Sequence, residues 1–122
     1  MSITAMPDLV NAVELYFMAL HECDLTKFDQ VFHPSCSLFD STDGVFTAMP
    51  IADYRAVIAQ RTSPKSVELA RDDGLISVDF LSKSAAVAKV RIRIHDKVFL
   101  DHLNFLRVEG QFQIAAKIWT DA

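Results

Sequence analysis

Four polar residues with groups suited to proton transfer stand in apolar segments of the sequence: Tyr16, Asp40, His102 and Asn104. A carboxylate that is held partly away from water, as expected for Asp40, is a candidate general base. A phenol and an amide can donate hydrogen bonds to an enolate-like oxygen, and these roles are open to Tyr16 and Asn104. The imidazole of His102 can exchange a proton near neutral pH. Together these groups are typical of an isomerase, cyclase or dehydratase that moves a proton on a carbonyl substrate.

Two other interpretations fit the same four residues. Polar groups in an apolar cavity can anchor a ligand without any reaction, which favours a binder of small aromatic or heterocyclic compounds. Buried polar groups must also be hydrogen-bonded, so the four can simply satisfy one another within a core. The function therefore stays open between a small-molecule binder, a proton-transfer enzyme and a homodimeric interaction module without a ligand.

The first half of the chain has the pattern of three helices and a short hairpin. Apolar residues at helical spacing predict helices over 8–22 and 25–32, and a third is expected over 50–61. The dipeptide Asp43-Gly44 predicts a hairpin turn between two short strands. Three helices followed by a meandering sheet predict an α+β architecture with the helices on one face.

The chain after Gly74 reads as strand throughout, and three triplets divide it into four antiparallel strands. The triplets are Ser82-Lys83-Ser84, His95-Asp96-Lys97 and Glu109-Gly110-Gln111. With a three-residue turn at each triplet, directly opposed residues share a face across all four strands. One face is then apolar apart from His102 and Asn104. We expect that face to pack on the helices.

The opposite face of the predicted sheet mixes charges with large apolar side chains. It carries Arg91, Asp101, Phe105 and Trp119, with Arg91 opposed to Asp101. Aromatic groups and arginine are enriched at the buried centre of protein interfaces. We therefore expect a homodimer that forms through this sheet face.

Length and composition exclude several classes of protein. A chain of 122 residues is expected to form a single domain over 1–122. Its formal net charge of −4 argues against a nucleic-acid partner. The two cysteines and four histidines do not stand at metal-ligand spacing, so neither a metal nor another cofactor is predicted. The sequence has no uninterrupted apolar run that would predict a membrane segment or a signal peptide. A cytoplasmic protein is therefore the default expectation.

The order of these elements resembles the nuclear-transport-factor-2-like superfamily over nearly the whole chain. Within it, the segment 87–94, Val-Ala-Lys-Val-Arg-Ile-Arg-Ile, and Arg71-Asp72-Asp73 upstream resemble the putative lumazine-binding branch. The resemblance implies a cone-shaped domain in which three N-terminal helices pack on a curved antiparallel sheet around a ligand pocket. The residues expected to wall that pocket are Val13, Phe17, Tyr54, Val90 and Leu106.

The stretch from Tyr16 to Asp40 is also similar, without a gap, to the opening of ketosteroid isomerase. The resemblance implies that Tyr16 donates a hydrogen bond to the oxyanion and that Asp40 moves the proton. That enzyme carries a second, protonated aspartate on a late strand, and counting back from Arg107 places this position at Asn104. Many relatives dimerise through the sheet face, which supports the expected homodimer.

Overall fold

The computed structural model describes residues 4–122, so the start of the predicted domain, 1–3, lies outside the described range. The helices are α1 (Ala5–Glu22), α2 (Leu25–Val31) and α3 (Ile51–Gln60), with a short 3-10 turn at Lys65–Val67. The strands are β1 (Phe32–Thr42), β2 (Val45–Pro50), β3 (Asp73–Ser82), β4 (Ala85–Ile94), β5 (Lys97–Val108) and β6 (Gln111–Asp121).

All six strands belong to one curved, unclosed sheet in the order β2-β1-β6-β5-β4-β3. Neighbouring strands are antiparallel except β1 and β6, which run parallel, so the sheet is mixed rather than wholly antiparallel. The three helices pack against one side of it, called the inner face below. The predicted α+β cone is therefore confirmed, and the sheet surface turned away from the helices is called the outer face.

Helix α1 is held in place by a continuous apolar stripe. Its large buried residues are Leu9, Val13, Tyr16, Phe17 and Leu20. These positions recur at spacings of three and four residues and so share one side of the helix. The remaining surface of α1 mixes polar residues with the exposed Met6 and Val10. No helix within residues 4–122 is long and apolar enough to cross a membrane. The stripe fixes the Tyr16 side chain between the helix and the sheet.

The turn between β4 and β5 has two residues, one fewer than predicted. Only His95 and Asp96 form it, because Ile94 already pairs with Lys97. A slip of one residue moves every side chain of a strand to the other face, so the predicted faces of β5 were wrong. The inward residues of β5 include Asp101, Leu103 and Phe105, and its outward residues include His102, Asn104 and Leu106.

A β-bulge in β6 reverses the face of its second half. The ladder between β5 and β6 skips Ala115, which is the extra residue of the bulge. Residues after it are displaced by one position. Lys117 and Trp119 therefore turn to the inner face, whereas Ile118 turns outward. The prediction that Trp119 lies on the outer face was wrong for this reason.

The predicted interface set does not form one surface. Asp101 and Phe105 are each only 1% exposed and belong to the interior of the protomer. Arg91 remains on the outer side of β4, but its guanidinium pairs with Asp72 at 2.8 Å rather than with Asp101. Arg93 binds the same Asp72 carboxylate at 2.8 Å. These arginines thus anchor the segment that leads into β3.

Candidate functional site

Three buried polar side chains meet between α1 and the inner face of the sheet. The hydroxyl of Tyr16 donates a hydrogen bond of 2.5 Å to Oδ2 of Asp101 on β5. Nζ of Lys117 on β6 lies 3.7 Å from the same carboxylate oxygen. Asp101 and Lys117 are 1% and 5% exposed, so both charges are removed from water. Tyr16, Asp101 and Lys117 are called the polar cluster below.

Burial and charge determine the chemistry of the polar cluster. Loss of solvation and, after it, the negative charge of Asp101 raise the pKa of Tyr16 well above its ordinary value. The phenol therefore keeps its proton at physiological pH and acts as a donor. Lys117 Nζ also faces the rings of Tyr16 and Tyr54, at 5.3 and 5.1 Å from their centroids. Aromatic faces stabilise a cation at such distances, so the ammonium has favourable partners on two sides.

A cavity of about 190 Å³ opens beside the polar cluster. Asp101 and Lys117 form part of its wall, and the fully buried Tyr16 side chain lies behind them in the core. Asp40 of β1 and Arg61 at the end of α3 complete the charged lining. Because a cavity of about 150 Å³ in another protein accommodates benzene, this volume suits a compound of one or two small rings.

Apart from Thr47 on β2, the rest of the cavity wall is aromatic and aliphatic. Three aromatic residues contribute, Tyr54, Phe99 and Trp119, and the last two meet edge to face with ring centroids 5.6 Å apart. The aliphatic lining consists of Leu20, Leu38, Met49, Val57, Ile92 and Ile94. A mostly apolar wall with a few converging polar groups is the usual composition of a small-molecule site.

Asp40 lines the same cavity but is held by its own hairpin. Its Oδ2 accepts a hydrogen bond of 2.6 Å from the Thr42 hydroxyl and one of 3.3 Å from the Thr42 backbone N–H. The side chain is half-buried, in contrast to that of Asp101. The two carboxylates therefore reach one cavity from different strands, β1 and β5.

Other residues predicted for the site lie elsewhere. His102, Asn104 and Leu106 are exposed on the outer face, because of the one-residue difference in the turn before β5. They are therefore separated from the cavity by the sheet. The carboxylate on β5 that contacts Tyr16 is that of Asp101, whereas Asn104, the position to which the resemblance to the isomerase pointed, lies on the other face of the strand.

The predicted apolar wall is only partly the observed one. Val13, Phe17 and Val90 are buried in the packed core, and Tyr54 is the predicted wall residue that lines the cavity. Asp101, Lys117 and Arg61 were not predicted as site residues. The first two became visible only through the register of β5 and the bulge of β6. Arg61 is the last residue of the predicted third helix and had no distinguishing signal.

Neither cysteine adds reactive chemistry to the site. Cys23 and Cys36 are free thiols. Desolvation raises the pKa of Cys36 to about 11 and also raises that of Cys23. Both therefore stay protonated near neutral pH, and a thiol is a much poorer nucleophile and metal ligand than a thiolate. Within the part of the chain that the structure describes, no group of three or more His, Cys, Asp or Glu is placed to hold a metal ion.

Comparison with known proteins relates both the sequence and the fold to one group. Residues 7–120 match the sequence profile of the family described as "Putative lumazine-binding". No curated protein matches the chain. The fold is similar to crystal structures of NTF2-like proteins of unknown function from Silicibacter pomeroyi DSS-3 and Shewanella baltica OS155. The first is 20% identical with a TM-score of 0.87 and 100% of both chains covered. The second is 22% identical with a TM-score of 0.86, covering 100% of this chain and 97% of the other.

A more distant structural similarity concerns a ketosteroid isomerase-like protein from Erwinia carotovora atroseptica SCRI1043. It is 11% identical with a TM-score of 0.73, and 99% of this chain and 98% of the other are covered. At such identities the three structures establish a shared fold alone. The predicted resemblance to the putative lumazine-binding branch is confirmed by the family match, and the predicted NTF2-like fold is confirmed by the structures.

Proposed function

Since the chain belongs to the Putative lumazine-binding family, we propose that its cavity binds a small aromatic or heterocyclic molecule. The observation that carries the proposal is the composition of the wall around about 190 Å³. It joins the buried ion pair of Asp101 and Lys117 to the rings of Tyr54, Phe99 and Trp119. Charged groups at a cavity wall orient a ligand, and aromatic rings provide apolar contact area for it.

The geometry supports binding more than isomerisation of a ketone. An oxyanion needs donors that point at the position where the negative charge develops. Here the Tyr16 proton is directed to Asp101, and the carboxylate of Asp101 is paired with Lys117. A carboxylate in an ion pair accepts hydrogen bonds and repels a developing negative charge. Asp40 remains a candidate base for other proton transfers, but the donors that the isomerase requires are not directed into this cavity.

Binding is best measured through Trp119, the single tryptophan of the chain. Lumazine, lumichrome and small heteroaromatic compounds are titrated while the indole N–H resonance is followed by NMR. We expect at least one compound to shift this resonance with saturation. A ligand at ten times its Kd should also raise the free energy of unfolding by about 1.4 kcal/mol, or the Tm by roughly 4 °C.

A matched pair of variants tests whether the ligand occupies the cavity. Met49→Phe enlarges a side chain of the wall and should weaken binding at least about ten-fold by occupying ligand volume. Ile76→Phe makes a similar enlargement at an exposed position of the edge strand β3 and should leave binding unchanged. Saturable binding that Met49→Phe does not weaken would place the ligand outside the cavity.

We also propose that the outer face mediates a homodimer, with a different set of residues from that predicted. Phe46, Leu106 and Ile118 are 74%, 47% and 55% exposed. Phe46 contacts Phe39 with tilted rings whose centroids are 6.1 Å apart, which extends the apolar area onto β1. Apolar groups clustered on one sheet face favour a protein partner. A second copy supplies the same surface and requires no further component.

Light scattering at micromolar concentration should give twice the protomer mass of 13.7 kDa. Ile118→Glu should shift the mass toward that of the protomer, because it places a carboxylate without a counter-charge at the centre of the outer face. Val67→Glu makes the same change on the 3-10 turn, away from the sheet, and should leave the mass unchanged. A monomeric wild-type protein would rule out this interface.

A further inference from the structure

Two residues of the cavity wall each carry a buried polar atom that has no hydrogen-bond partner in the protein. The two atoms are Oδ1 of Asp101 and Nη1 of Arg61, and they are the only buried side-chain nitrogen or oxygen atoms of this kind within residues 4–122. Both residues line the same cavity. Buried polar atoms in folded proteins are almost always hydrogen-bonded, so two exceptions in one cavity need an explanation.

The two atoms have opposite roles. A guanidinium nitrogen can only donate hydrogen bonds. Asp101 uses Oδ2 for the Tyr16 hydroxyl and for the ion pair with Lys117, and its free Oδ1 is an acceptor. A molecule that satisfies both atoms must accept a hydrogen bond from Arg61 and donate one to Asp101.

The charges of the wall restrict the ligand further. Four charged residues line the cavity, Asp40, Asp101, Arg61 and Lys117, so two negative and two positive charges cancel. A ligand with a net charge would bring a charge without a counter-charge to this balanced wall, next to the buried Asp101 and Lys117. An uncharged ligand keeps the existing balance.

We infer that the ligand of this cavity is a neutral, planar cyclic amide whose N–H binds Asp101 Oδ1 and whose carbonyl oxygen binds Arg61 Nη1. The inference rests on the proposed small-molecule function and specifies its ligand class. Planarity follows from the three aromatic side chains of the wall. The donor and acceptor of a cyclic amide lie on one rigid ring, so both contacts form without loss of ligand flexibility.

A series of bicyclic probes separates the two contacts. 2-Quinolone and 4-quinolone carry both N–H and C=O at different separations. Their N-methyl derivatives keep the carbonyl alone, indole keeps the N–H alone, and quinoline-2-carboxylate is an anion. Affinities are measured by NMR titration of the Trp119 indole N–H. We expect one quinolone to bind about ten-fold more tightly than its N-methyl derivative, indole and the anion, because each of these leaves one buried group unpaired or adds a charge.

A variant tests whether the carbonyl oxygen of the ligand accepts its hydrogen bond from Arg61. Arg61→Met retains most of the apolar stem and removes the donors, so the affinity of the preferred quinolone should fall to about that of indole. Indole affinity should not change. Arg55→Met, within helix α3 and in an exposed ion pair with Asp29, is the control and should leave all affinities unaltered.

The possible outcomes separate this inference from the function on which it rests. Equal affinities across the series, with binding still blocked by Met49→Phe, would overturn the cyclic-amide assignment and leave the ligand cavity in place. Tightest binding of the anion would contradict the requirement for a neutral ligand. If neither these probes nor the heterocycles named above shift the Trp119 resonance, both the proposed function and the inference fail.

Discussion

Lys117→Met is expected to lower the free energy of unfolding by about 3–5 kcal/mol, measured by urea denaturation at pH 7. The substitution keeps an unbranched apolar stem but removes the ammonium 3.7 Å from Asp101. Asp101 is 1% exposed and would then be a buried carboxylate without its counter-charge. The cost arises mainly from that unpaired charge rather than from the loss of attraction.

Two further variants distinguish this explanation from a simple packing defect. The triple variant Tyr16→Phe/Asp101→Leu/Lys117→Met removes the whole polar cluster and should recover most of the lost stability, since apolar replacement of a buried pair is often neutral. Arg55→Met breaks the exposed pair with Asp29 and should have no measurable effect. A Lys117→Met protein as stable as the wild type would show that the ion pair is not buried as described.

Tyr16→Phe should lower the free energy of unfolding by about 1.5–3 kcal/mol at pH 7, because it removes a hydrogen bond to a charged carboxylate. The difference from wild type should also depend on pH. Burial and the charge of Asp101 raise the pKa of Tyr16 in the folded state, whereas the phenol of the unfolded chain has the ordinary tyrosine pKa of about 10. The unfolded chain thus releases this proton first.

The sign of the pH effect follows from that order. Below pH 10 the contribution of the Tyr16 hydroxyl is complete, because folded and unfolded chains both keep the proton. As the pH rises above about 10, the free energy of unfolding of the wild type should fall by roughly 1.4 kcal/mol per pH unit relative to that of Tyr16→Phe. A stability difference that stays constant from pH 9 to pH 11 would exclude a buried phenol with a raised pKa.

The fold could be predicted because its signals are local and redundant. The apolar stripe of α1 repeats over about three turns, and β4 alternates with a period of two from Ala88 to Ile94. The strands after Gly74 are rich in apolar residues and are separated by polar triplets. These patterns do not depend on the register between strands. The helices, the hairpin at Asp43-Gly44 and the four antiparallel strands were therefore predicted close to their observed bounds.

The site could not be predicted because it depends on two single-residue features. The turn at His95 and Asp96 has a left-handed residue at His95, with φ of 56°, where glycine or asparagine would have marked a two-residue turn. Both faces of β5 carry a similar mixture of apolar and polar residues, so composition did not reveal which one faces the helices. The bulge at Ala115 likewise lacks a glycine or proline that would have signalled it. Asp101 and Lys117 were consequently assigned to the wrong face.

The most direct measurement of the proposed function is a crystal structure of the protein with the heterocycle that binds most tightly in the Trp119 titration. We expect difference density for one ligand inside the cavity, in contact with Tyr54 and Trp119 and within hydrogen-bond distance of Asp101 Oδ1. Density only on the outer face, or only in the surface groove between Phe32 and Arg55, would contradict the proposal that this cavity is the binding site.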